Sequence, residues 1–155
     1  MTTASAAFAI IRARLIANKP ANLTAFRFQN EDEDSTGVAS LPDTPAAFAY
    51  VEFLTEPATL VSFGGGRGSN RYRNPARIVV YVFVPRGQGL AAATDLGESV
   101  ATLFRSYRDD DISCFEASVY PGGDGSQLTP PGLSSEVNNY FWAAVEIALF
   151  FDLIG

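Results

Sequence analysis

The chain has 155 residues, enough for one domain with a sizeable core, and its 47% apolar and 12% aromatic content excludes a disordered chain. Charged residues reach only 18%, below the roughly 25% of an ordinary soluble domain, so part of the surface is expected to meet protein instead of water. A net charge of −6 excludes the whole-molecule basic footprint of a nucleic-acid binder, and the absence of histidine excludes Ser-His and Cys-His catalysis and the commonest metal ligand.

The elements follow in chain order. Residues 5–18 read as a helix, with Phe8, Ile11 and Leu15 on one side, Ser5 as N-cap and Asn18-Lys19-Pro20 as its stop. A short strand is predicted over 23–28, followed by the acidic run Glu31-Asp32-Glu33-Asp34, which opens a loop reaching Pro45. Residues 49–56 alternate as a strand before Pro57, and 59–63 form another. The connection 64–75 (GGGRGSNRYRNP) then reads as a hairpin loop. The clearest strand is 77–84 (RIVVYVFV), β-branched or aromatic at seven of eight positions.

The best helix is predicted over 90–108, where Leu96, Val100, Leu103, Phe104 and Tyr107 form one stripe. Asp95 and Glu98 lie early in it and Arg105 and Arg108 late, as the helix dipole favours. Asp109-Asp110-Asp111 reads as a solvated exit, 113–120 as a strand, and 121–138 as a long Gly/Pro/Ser-rich connection, read as an arm reaching a partner. A final strand over 139–152 is too long and apolar for a sheet edge, so it is expected centrally or across a subunit boundary. The fold class is therefore α+β: a single mixed, mostly antiparallel β-sheet with two α-helices packed on one face, spanning residues 1–155 as one domain.

Little in this inventory supports chemistry. Cys114 is the only cysteine, which excludes an intramolecular disulfide or a multi-Cys zinc site, and its place on a strand beside Phe115 reads as core. The sole lysine, Lys19, is the only base a Ser-Lys pair could use. Gly64–Gly68 lacks the Lys-Ser/Thr and the following helix of a phosphate loop. The 109–111 run lacks the spread of an EF-hand loop, and no cofactor or metal site is expected. Glu52 and Glu146 lie inside strands with nothing fixing their separation, so a general acid/base pair is a poor reading. No signal peptide is legible, because Arg12 and Arg14 interrupt the first apolar stretch, and no window reaches the roughly 18 apolar residues of a membrane span.

The arginines are the one suggestive feature. Arg67, Arg71 and Arg73, with Tyr72 interleaved and Arg77 close behind, suit bidentate recognition of carboxylate or phosphate. A solvated loop, a nucleic-acid contact and a docking loop for an acidic protein surface all remain open. The docking loop is favoured, with a neighbouring copy's 31–34 or 109–111 run among its targets.

The stretches YVEFL, GGGRGSNRYRNPAR and IVVYVFVPRGQGLAAATDLGESVATLFR, then FEASVYPGG and the closing YFWAAVEIALFFD, resemble the tail terminator proteins of long-tailed bacteriophages and gene transfer agents, the ring-forming family to which the lambda tail terminator belongs. The resemblance implies a structural virion protein, not an enzyme, located at the head–tail junction after assembly in the host cytoplasm. Its partners would be five further copies in a hexameric ring, the tail-tube protein whose polymerisation it ends, and a neck or head-completion protein. DNA would pass through the lumen without specific binding, and no membrane is involved. Arg67, Arg71, Tyr72 and Arg73 are assigned to contact with the tube or an adjacent subunit. The acidic stretch 30–36 and the connection 121–138 are longer than the family pattern. Rival readings are a neck or head–tail adaptor ring, a monomeric anion-binding module using 67–77, and, last, a hydrolase or transferase using Glu52 or Glu146.

Overall fold

A computed structural model describes residues 3–29, 31, 45–62, 65–122 and 140–155. The elements run α1 (Ala4–Ala17), β1 (Phe26–Phe28), β2 (Phe48–Thr55), β3 (Thr59–Ser62), β4 (Arg71–Pro85), α2 (Gly89–Thr102), β5 (Ile112–Pro121) and β6 (Tyr140–Ile154). The strands form one six-stranded mixed sheet in the order β1-β2-β4-β6-β5, with β3 paired to β4 in line with β2. Only the β1–β2 pairing is parallel among those neighbours. This is the α+β architecture expected from the pattern, and β6 is central.

Strands β4 and β6 are both longer than predicted, at 15 residues each. They pair along their whole length, from Arg71↔Ile154 to Pro85↔Tyr140. The expected hairpin loop therefore ends at Asn70, and Arg71–Pro75 belongs to β4. The proline is tolerated because it stands between the two partners on β4's other side, β2 ending opposite Ala76 and β3 reaching Arg73. Its carbonyl accepts from Glu56 N at 2.9 Å, so its missing N–H faces that gap and no β4–β6 bond is lost.

Alternation along β4 separates two packed faces. Ile78, Val80, Val82 and Val84 join Val145, Ile147 and Leu149 of β6 against Ile11 and Leu15 of α1 and Leu96 and Val100 of α2. Both helices thus share one face. On the other, Val79, Tyr81 and Phe83 are buried with Phe48, Tyr50, Tyr140 and Ala144, and neither helix contributes to that cluster. Phe83 stacks on Phe48 at 4.7 Å.

Other boundaries differ for local reasons. The N-cap of α1 is Thr3, whose hydroxyl accepts from Ala6 N at 3.1 Å, and Ser5 lies inside the first turn. Residues 23–25 stand before β1, since Leu23 N closes a turn onto the Pro20 carbonyl. Helix α2 ends at Thr102, not Arg108, because 103 and 104 tighten to i→i−3 bonds and Ser106 takes φ 59°. Arg105 and Arg108 therefore lie past the helix, although Phe104 still packs in the core. The expected connections 30–36 and 121–138 lie outside the described residues, save Glu31, Pro121 and Gly122.

Helix α2 approaches the sheet at Gly97. A Cβ there would lie 3.0 Å from Val119 Cγ1 and 3.4 Å from Val145 Cγ2. Gly97→Val is expected to cost about 1–3 kcal/mol through overpacking, despite valine's better helix propensity. Thermal unfolding followed by circular dichroism reads this, and an unchanged midpoint contradicts the tight approach.

Candidate functional site

The face away from the helices is built in rows by the strand register. Phe48, Phe83 and Trp142 lie in one row, and Tyr50, Tyr81 and Ala144 in the next, with Tyr120 of β5. Glu52, Val79, Glu146 and Ser118 follow, then Leu54, Arg77, Ala148 and Glu116. Beyond the ends of β2 and β5, a three-stranded ribbon of β3, β4 and β6 carries Arg71, Arg73 and Asp152. The face passes from aromatic to ionic along its length.

The site is the ionic end. Arg73 lies directly across from Asp152 and Arg71 two residues along the same strand, so both guanidinium groups reach one carboxylate. Arg73 Nε donates to Asp152 Oδ1 at 3.0 Å and its Nη2 to Oδ2 at 3.2 Å. Arg71 Nε donates to Oδ2 at 2.9 Å, and its Nη2 also bonds that oxygen. The Arg73 guanidinium lies 4.0 Å from the Phe150 ring centre. Hydrogen bonding from Arg73 holds the Asp152 carboxyl below its ordinary range against the opposing effect of burial, with Arg71 adding to the lowering. The same hydrogen bond raises Arg73.

A cleft of about 550 Å³ opens beside this group, between Arg71, Arg73, Phe150 and Asp152 on one side and the 106–114 turn on the other. Asp109 builds that turn. Its Oδ1 accepts from Asp111 N at 2.8 Å and Ile112 N at 2.7 Å, and its Oδ2 accepts from Tyr107 Oη at 2.9 Å. Burial works to raise the Asp109 carboxyl, but those bonds outweigh it and the net shift is downward. The first residue of the acidic run is thus a turn-builder, where a solvated helix exit was expected.

The four expected interface residues separate. Arg71 and Arg73 come together, and the carboxylate they hold belongs to their own chain. Arg67 is exposed on a turn closed by Ser69 N to Gly66 O at 3.2 Å, which Gly66 and Gly68 permit through positive φ. Tyr72 points to the reverse side of the ribbon, opposite Leu60 and Leu153. Sequence reasoning missed Asp152 and Phe150; the available signal was only the Phe-Asp near the end of the last strand.

Glu52 and Glu146 flank Val79 on neighbouring strands, about 10 Å apart between Cα atoms by two strand spacings. Each has its own partner. Arg77 Nη1 donates to Glu146 Oε1 at 3.2 Å, and Glu52 hydrogen-bonds Tyr81. Burial raises the Glu52 carboxyl, the Tyr81 bond opposing. Burial, with Glu52 next, pushes the Tyr81 hydroxyl to about 12. Burial also pushes the Cys114 thiol to about 11, leaving it protonated at neutral pH and a poor nucleophile. Among the described residues no group of three or more metal-ligating side chains is assembled, and no helix is long and apolar enough to cross a membrane.

Compared with known proteins, the chain matches no protein-family model and no curated sequence.

Proposed function

We propose that this chain is a structural subunit of a hexameric ring that caps a phage-type tail tube, ends its polymerisation and presents a surface for head attachment. One observation carries the reading. The stretches on which the resemblance to tail terminators rests supply β2, β4, β6 and β5, four neighbouring strands of the sheet, and α2, which packs on them. The ribbon adds a working part: it extends past β2 and β5 with its two arginines held in place by Asp152, leaving Arg67 exposed at the tip. Chemistry is not required of such a subunit, and Glu52 and Glu146 serve as partners for Tyr81 and Arg77.

Light scattering on the purified chain, alone and with polymerising tail-tube protein, tests this, together with tube lengths by electron microscopy. A particle about six times the 16.6 kDa chain supports the proposal, as does a single chain that caps tubes and stops their growth. A strict monomer that leaves tube length unchanged overturns it. Joining of filled heads without any effect on tubes favours the neck adaptor.

A further inference from the structure

We draw no further inference here: the strongest candidate, the cleft between the β3–β4–β6 ribbon and the 106–114 turn, belongs to the site already described, and its lining sets three arginines against four aspartates, a balance that selects no ligand charge and shows no occupant.

Discussion

Phe83→Ala should lower stability by about 3–5 kcal/mol, the usual cost of deleting a large buried aromatic side chain. Phe83 has no exposed surface. Its ring stacks on Phe48 at 4.7 Å with 13° between planes, and it meets Tyr140 edge-on at 6.5 Å. The loss combines apolar transfer, the cavity left behind and the ring–ring term of about 0.5–1.5 kcal/mol. The neighbours are spread over three strands in fixed register, which limits collapse into the space. Since domains are stable by only about 5–15 kcal/mol, the variant should be close to unfolding at room temperature. Urea unfolding measures it, with Phe115→Ala as an exposed control expected to change little. A loss below about 1 kcal/mol for Phe83→Ala means that the helix-free face is not packed as described.

Asp152→Ala should cost about 1–2 kcal/mol and loosen the ribbon. Hydrogen bonds to charged groups contribute about 1.5–3 kcal/mol, but Arg71 and Arg73 are 55% and 39% exposed, so solvent screens much of that. Removing the carboxylate also leaves two like charges two residues apart on one strand. Arg73→Ala should cost more than Arg71→Ala, because only Arg73 also lies over Phe150. The pH dependence has a defined sign. The Asp152 carboxyl is held below its ordinary 3.8, so its contribution is present above that value and is lost as pH falls through the lower, folded one. Asp109 acts in the same direction. Glu52 opposes them: its carboxyl is raised, so ionisation costs stability above the ordinary 4.5 and protonation restores it. Wild type should therefore lose stability as pH falls below the ordinary 3.8 of these carboxyls, and Asp152→Ala should lose less. Equal acid losses in the two proteins contradict the Arg71–Asp152–Arg73 arrangement. In the tube assay, the same variant is expected to cap less well, because Arg71 and Arg73 lose the carboxylate that orients them on the ribbon.

By itself, the sequence was enough to determine the fold class and the order of the elements and to bar the last strand from a sheet edge; its place between β4 and β5 was decided by the tertiary structure. Those properties are carried by local signals that survive without neighbours: the RIVVYVFV run, the Leu96–Val100–Phe104 stripe, Pro20 and Pro57 as stops, and a closing strand too apolar for an edge. Element ends were less legible, since the extension of β4 back through Asn74 and Pro75 depends on β6 lying alongside, 15 residues to 15. Polar residues and a proline look like a loop until their hydrogen-bond partners are known. The arginine cluster was visible, but its partner was not. Arg73 and Asp152 are far apart along the chain and meet only because register places them opposite each other. Tyr72 shared the cluster in sequence and left it in space, since alternate strand residues face opposite ways. The exposure of Phe115 belongs wholly to tertiary structure, since it arises from a bulge in β5 that has no local sequence signature.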